Sequence, residues 1–265
     1  MIKEQKKGAT FWDSIKVLFQ AILLALLVRS FIIQPFVIPS GSMRPTLLVG
    51  DYLFVSKFSY GYSSVSFPFR LPFFHGRLFG SQPHRGDVVV FHHKDQNDGV
   101  YKDFIKRVIG LPGDKIELKN GVVFINDKPV ARKRIGKASD SDITGALGDV
   151  DLYRETLPNG VSYDTLSIDP AGSGNNRGPF FVPAGHYFMM GDNRDNSEDS
   201  RFSLGPIAYN ELIGKASFLF FSLKNGSHAY EIWRWPFDLR LSRLFVWIDK
   251  VDNNLLHALP QSTSG

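Results

Sequence analysis

The stretch Lys115-Ile116-Glu117-Leu118-Lys119-Asn120-Gly121-Val122-Val123-Phe124-Ile125 runs through alternating apolar and polar residues, halts at Asn-Gly, and resumes in a β-branched and aromatic run. Both central residues of a type I′ turn need positive φ, which Asn and Gly tolerate, so residues 116 to 125 are predicted to form a β-hairpin. Upstream, Asp87-Val88-Val89-Val90-Phe91 has the same character. Short runs of this kind, separated by Gly, Pro, Asn and Asp, make the chain mainly β beyond about residue 36. A different composition interrupts them over 131–180. Arg132-Lys133-Arg134 leads into an Asp/Ser/Gly-rich middle and then Ala171-Gly172-Ser173-Gly174-Asn175-Asn176-Arg177-Gly178, the pattern of an inserted subdomain.

Before the β region, Val17 to Val28 is apolar except for Gln20, and after Arg29-Ser30 the apolar run resumes with Phe31-Ile32-Ile33. Roughly 17 to 25 residues suffice for a membrane-spanning helix, so a single crossing is expected over 17–36, with Pro35 stopping it. Lys3, Lys6, Lys7 and Lys16 precede the span against Glu4 and Asp13. The positive-inside rule then puts residues 1–16 in the cytoplasm and the β region outside. Two other readings share the pattern. A cleaved signal peptide needs a small-residue cleavage site directly after the apolar run, where Arg29 and Pro35 intervene. A buried helix of a soluble protein is opposed by the basic flank.

The 265 residues, 43% hydrophobic and 22% charged, supply a real core and one or two domains. Lys and Arg exceed Asp and Glu by 31 to 26, an excess that favours anionic lipid or nucleic acid without demonstrating either. The absence of cysteine excludes disulfides, thiolate metal sites and a thiol nucleophile, leaving Ser, Thr, Lys or a carboxylate for any covalent chemistry. Aromatics concentrate in two places. Phe54, Phe58, Tyr60, Tyr62, Phe67, Phe69, Phe73, Phe74 and Phe79 lie beside Lys57, Arg70 and Arg77, a mixture that suits either a β-core or a lipid interface. Trp233, Trp235, Phe237, Leu241, Leu244, Phe245 and Ile248 accompany Arg234, Arg240 and Arg243 in an expected interfacial helix after Pro236.

Several chemistries lack their spacing. No His is followed by Glu, so His-Glu-x-x-His is absent, and the adjacent His92-His93 reads as a solvated loop near Lys94-Asp95. No Ser sits in Gly-x-Ser-x-Gly and no Lys follows a Ser by three residues. Gly172-x-Gly174 lacks the third glycine of a dinucleotide loop.

Three segments remain. The first is Ile38-Pro39-Ser40-Gly41-Ser42-Met43-Arg44-Pro45-Thr46-Leu47, just beyond the span. The second is Asp103-Phe104-Ile105-Lys106-Arg107-Val108-Ile109-Gly110-Leu111-Pro112-Gly113-Asp114. The third is Gly191-Asp192-Asn193-Arg194-Asp195-Asn196-Ser197-Glu198-Asp199-Ser200-Arg201. In this order, behind an N-terminal span, they resemble the bacterial type I signal peptidases, over most of residues 15 to 225. Arg44 is the one mild departure, a charge at a position that varies in that family.

The resemblance implies a membrane-bound serine endopeptidase that cuts signal peptides from exported preproteins after Ala-x-Ala, on a signal-peptidase-like β-rich catalytic core. By motif, Ser42 matches the nucleophile, Lys106 the general base, and Ser40 a hydroxyl that completes the oxyanion hole with the Ser42 amide. Ser197 matches a serine that orients the lysine, and Asp199 and Arg201 a supporting pair. In the family the segments before the nucleophile and the lysine flank an extended substrate, so Phe36, Ile38, Phe104 and Ile105 are expected to line its shallow pockets. The implied division is 1–16 cytoplasmic, 17–36 anchor, 37–130 and 181–225 catalytic core, 131–180 inserted subdomain and 226–265 amphiphilic C-terminal segment. It implies no cofactor or metal, contact with membrane phospholipid, no nucleic acid, no obligate protein partner, and a place in the bacterial inner membrane with the catalytic region on the periplasmic side.

The chemistry is coherent with those residue types. A serine hydroxyl needs a base, and a lysine amine serves only when neutral. Poising a lysine near neutrality requires a depression of roughly 3 units from about 10.4, which burial among Phe104 and Ile105 would supply and a touching carboxylate would prevent. Ser197, a neutral hydroxyl, meets that requirement. A rival reading is a catalytically silent membrane-anchored binding or assembly factor; a second is a Ser/Lys self-cleaving regulator, which the outside orientation disfavours.

Overall fold

The computed structural model describes residues 11–67, 76–145, 148–169, 172–224, 227 and 229–251. It begins with α1 (Phe11–Phe31), a helix with no buried residue and a mean hydropathy of 1.8 over its most apolar window. At about 1.5 Å per residue its 21 residues run about 31 Å, long and apolar enough to cross a membrane. The helix starts before the expected boundary at 17, with Asp13 in the first turn, where a carboxylate complements the helix dipole. It also ends before 36. Residues 33–37 form β1 (Ile33–Val37), paired antiparallel with β2 (Asp51–Ser56) in the register Pro35↔Phe54. β1 is the edge of its sheet, where the missing N–H of Pro35 costs little.

The chain continues as β3 (Val88–Lys94), β4 (Tyr101–Gly110), β5 (Lys115–Lys119), β6 (Val122–Ile125), β7 (Lys128–Pro129) and β8 (Ala131–Ala138). Then come the single-turn helix α2 (Ser141–Thr144), β9 (Val150–Thr156), β10 (Ser162–Ser167), β11 (Arg177–Phe181) and β12 (His186–Met190). β13 (Ile207–Ala208), β14 (Leu212–Ser222), the single turn α3 (Trp235–Asp238) and β15 (Val246–Trp247) complete it. The mainly β expectation holds. Among the described residues the central sheet has eight strands in the order β1-β2-β14-β3-β4-β12-β13, with β15 added to β14.

The apolar run of β3 is explained by burial on both faces. Val88 and Val90 join the cluster of Ile38, Met43, Leu53 and Ile105, while Val89 and Phe91 join that of Tyr60, Val108, Tyr187 and Met189. Alternate side chains of a strand point to opposite faces, so such a strand reads as continuous apolar sequence. His92 and His93 lie in β3 rather than in a loop, because a carboxylate meets each ring: Asp103 at 2.7 Å from His92 and Glu211 at 3.0 Å from His93.

The 116–125 hairpin forms as expected, with Asn120 at φ 49° and Gly121 at φ 74°. It belongs to a second sheet in the order β11-β5-β6-β7. A third sheet, β10-β9-β8, occupies 131–167, whereas β11 at the end of the 131–180 stretch returns to β5.

The expected helix after Pro236 is not present; one-turn pieces replace it. Its arginines explain this, because Arg240 turns inward to a paired contact with Asp142 and Arg243 to the buried Asp51. A continuous helix would aim them elsewhere. Trp233, Phe237, Leu241 and Phe245 are left exposed. Of the aromatic stretch 54–79, Tyr60 is core, Phe54 stacks on Phe220, and Phe58 and Phe79 are exposed. Phe69, Arg70, Phe73 and Phe74 lie outside the described residues.

Candidate active site

Ser42 stands in a single 3₁₀ turn, Gly41–Met43, shortly after β1. Ile38, Met43 and Leu47 bury their side chains in one cluster and pin the turn from below. Asn193 holds it from the side. Its backbone amide donates to the Ser42 carbonyl at 3.0 Å and its Nδ2 to the Gly41 carbonyl at 3.1 Å.

Lys106 comes from β4. β12 pairs with β4 only from Gly110 to Arg107, and after Met190 the chain leaves the sheet, so β12 does not extend alongside Lys106. Here Lys106 Nζ donates to Ser42 Oγ at 2.6 Å, with both residues buried. Burial pushes the amine down to about 8, against the pull of Asp199, Asp192 and Glu198 and with the help of Arg201. The hydrogen-bond partner is a hydroxyl rather than a carboxylate, and no ion pair anchors the ammonium among the described residues.

A shell of buried ion pairs fixes this geometry. Arg107, next to Lys106, meets Asp192 with two bonds of 2.9 and 2.7 Å, and Thr46 Oγ1 donates to the same carboxylate at 2.6 Å. One residue from each of the three sequence segments therefore meets at Asp192. Asp199 and Arg201 form a second pair at 2.9 and 2.8 Å, both side chains wholly buried. Burial pushes the Asp199 carboxyl up, but Arg201 and the Gly191 amide, which donates to it at 3.0 Å, overcome this and hold it below its usual range. Asp199 and Arg201 thus shape the loop that carries Asn193.

The remaining expected residues are placed unevenly. Ser40 is exposed, in extended backbone, and its side chain makes no bond to the turn. Ser197 is buried, yet its Oγ has no hydrogen-bond partner among the described residues, Lys106 included. It packs instead against Gly191, where a Cβ would overlap both Ser197 Oγ and the Ser42 carbonyl oxygen. This contact explains why that position holds glycine. Phe36, Ile38 and Ile105 come together around Met43, whereas Phe104 points to the opposite face and stacks on Phe91 with centroids 5.7 Å apart.

The sequence assigns no role to Thr46, Arg107, Asp192 or Asn193, although all four lie in the three segments. An arginine directly before the apolar Val108-Ile109 was the available signal, since a buried guanidinium needs a partner. Nothing local identifies that partner, 85 residues away.

A family model described as signal peptidase, peptidase S26, matches residues 11–221. The signal peptidase I of Rickettsia typhi is 42% identical over 242 residues, covering 87% of this chain and 86% of that protein. That of Rickettsia akari is 42% identical over 245 residues, covering 88% and 87%. A crystal structure of a signal peptidase I from Enterococcus faecalis is 24% identical, with 51% of this chain and 97% of that one covered and a TM-score of 0.29.

Proposed function

The chain belongs to the S26 signal peptidase family, and from that premise we propose that it is a membrane-bound endopeptidase that removes signal peptides from exported preproteins with Ser42 as nucleophile and neutral Lys106 as general base. The observation that carries the reading is the buried 2.6 Å contact between Lys106 Nζ and Ser42 Oγ. With the amine neutral, the hydroxyl donates across that same contact. Lys106 takes the proton as Ser42 Oγ attacks the scissile carbonyl, and returns it to the departing amine of the mature protein. Water then releases the signal peptide from the Ser42 ester, with Lys106 again the base.

The oxyanion falls to the Ser42 amide and, once substrate orders it, the Ser40 hydroxyl; such donors are worth about 3 to 4 kcal/mol each. The unpartnered Ser197 hydroxyl suits the task of orienting Lys106 after proton transfer. Phe36, Ile38 and Ile105 form the floor of pockets for the two small residues, and the part of β4 beside which β12 does not run suits an extended peptide backbone. Phe104 is the least supported member of that set, since its side chain joins the cluster on the other face.

The helix Phe11–Phe31 serves as a single anchor in the inner membrane, with the basic residues 1–16 cytoplasmic and the β region periplasmic. Residues 37–130 and 181–225 are the catalytic core and 131–180 a subdomain inserted in it. The exposed Trp233, Phe237, Leu241 and Phe245 of the C-terminal segment suit contact with phospholipid.

The test is cleavage of a preprotein bearing an Ala-x-Ala site by the protein in detergent with phospholipid, comparing wild type, Ser42→Ala and Lys106→Met and sequencing the product N-terminus. Cleavage after the second Ala by wild type alone is expected. No cleavage by folded wild type replaces this reading with that of a binding or assembly factor, and cleavage surviving both substitutions moves the active site elsewhere. Carbonate extraction tests the anchor: release of the intact protein into the soluble fraction would overturn it.

A further inference from the structure

The loop that carries Asn193 is not self-supporting. It lies along β10, where Leu166 N donates to Asp192 O and Arg194 N to Leu166 O, each at 3.0 Å. Side chains of the third sheet reinforce that seam. Arg194 Nη1 donates to Glu155 Oε1 at 2.7 Å, its Nη2 to Glu155 Oε2 and, at 3.3 Å, to the Tyr163 hydroxyl. Tyr163 in turn donates to Glu155 Oε2 at 3.0 Å. The Tyr163 ring also faces Arg107, whose guanidinium carbon lies 4.1 Å from the ring centroid. Because Arg107 is clamped to Asp192, and Asp192 and Arg194 both bond the backbone of Leu166, five residues are linked in a ring closed through that backbone step: Arg107, Asp192, Arg194, Glu155 and Tyr163.

None of these five residues is more than 3% exposed. The ring contains two guanidiniums and two carboxylates, so its formal charges cancel; Arg132 Nε approaches Glu155 only to 3.8 Å. A buried ion pair broken on one side leaves an uncompensated charge, so the ring holds as a unit. Its two outputs bear on the chemistry. Arg107 neighbours Lys106 in β4, and Asp192 and Arg194 flank Asn193, the residue bonded to the Ser42 turn.

We infer that Glu155 and Tyr163, from β9 and β10, are positioning residues that set the distance between Ser42 and Lys106 by holding Arg194 and Arg107. The third sheet is thereby a working part of the catalytic centre. This rests on the peptidase reading above. Neither residue touches substrate, so their loss acts on the rate of chemistry rather than on binding. A misplacement near 1 Å at reacting atoms costs on the order of 100-fold.

The experiment uses the full-length protein in detergent and phospholipid, with wild type, Glu155→Gln, Tyr163→Phe and, as a control on the same sheet, Arg134→Ala, which removes only the exposed pair with Asp151. Each is measured for kcat, KM, the pH dependence of kcat/KM and thermal midpoint. Glu155→Gln should lower kcat by about 10- to 100-fold with KM within about twofold, and move the rising limb of the pH profile upward as Lys106 gains water. Tyr163→Phe should show a smaller change of the same kind, and Arg134→Ala none. If Glu155→Gln does not fold, Tyr163→Phe, which loses a single hydroxyl, decides. Folded variants with wild-type kcat and pH limb overturn this inference alone, as does activity lost only in proportion to unfolded protein. Absence of cleavage by folded wild type overturns the peptidase reading and this inference with it.

Discussion

Lys106 Nζ lies 2.6 Å from Ser42 Oγ across 64 residues of sequence, and burial holds its pKa at about 8 rather than 10.5. Only the neutral amine can accept the serine proton. The rate should therefore rise with pH through about 8 and level above it, whereas a solvated lysine would place the limb more than two units higher. Lys106→Arg should abolish cleavage across that range, because a guanidinium stays charged in proteins. A pH profile of kcat/KM for wild type checks the limb; a limb at the ordinary lysine value would remove Lys106 as the base.

The same burial predicts that Lys106 destabilises the fold. Its folded pKa is below its unfolded value, so below pH 8 both states are protonated and the folded state bears the full desolvation cost, on the order of 3 kcal/mol. As pH rises from about 8 to 10.5 the unfolded chain binds more protons and the penalty is relieved. Lys106→Met should thus raise the thermal midpoint at pH 7, with the gain shrinking toward pH 10. Lys57, also buried and held near 8, titrates in the same window, so the quantity to read is the difference between wild type and variant at each pH. A Lys106→Met variant less stable than wild type at pH 7 would contradict this.

These residues were legible for a local reason, and the rest was hidden for a nonlocal one. Asn120-Gly121 dictates its turn through backbone φ alone, and Ser42 and Lys106 sit in distinctive short segments. The bounds of α1 were less legible, since a polar first turn bearing Asp13 still propagates as helix and Ile33–Val37 is apolar enough for either a span or a strand. Pairing with β2 decides it. The turns around Arg240 and Arg243 depend on Asp142 and Asp51, 98 and 192 residues away, and no periodicity near Pro236 reports such partners. The same holds for Arg107 with Asp192 and for Arg194 with Glu155, which is why the charged shell around Ser42 and Lys106 had no role until the chain was folded.

Asp192 offers a test that separates electrostatics from scaffolding. Its carboxylate compensates Arg107 and favours the ammonium of Lys106. Asp192→Ala removes the carboxylate that compensates the buried charge of Arg107, a loss of about 3 to 5 kcal/mol. Asp192→Asn keeps the shape and removes the charge, so Lys106 should lose its proton more readily and the rising limb of the rate should move to lower pH even as stability falls. Thermal melts and a pH profile of the same preparation check both signs. A destabilised Asp192→Asn protein with an unmoved limb would restrict Asp192 to scaffolding.

Ile105 sits beside Lys106 with its side chain in the cluster of Ile38 and Met43, where Phe36 packs against it. If this cluster floors the pockets for small residues, its volume sets the size that substrate may have there. Ile105→Ala removes three carbons and should cost about 2 to 5 kcal/mol of stability through the cavity it leaves. Ile105→Val removes one, at about 0.5 to 1.5 kcal/mol, and is the safer probe. Both should extend cleavage to preproteins with residues larger than Ala at the two small positions, Ile105→Ala further than Ile105→Val. Phe104→Ala should leave that preference unchanged, because its ring stacks on Phe91 on the opposite face. Product sequencing over a set of preproteins varied at those two positions reads the preference directly. An Ile105→Ala profile identical to wild type would place the pocket floor elsewhere, and a shift produced by Phe104→Ala alone would move it to the other face of β4.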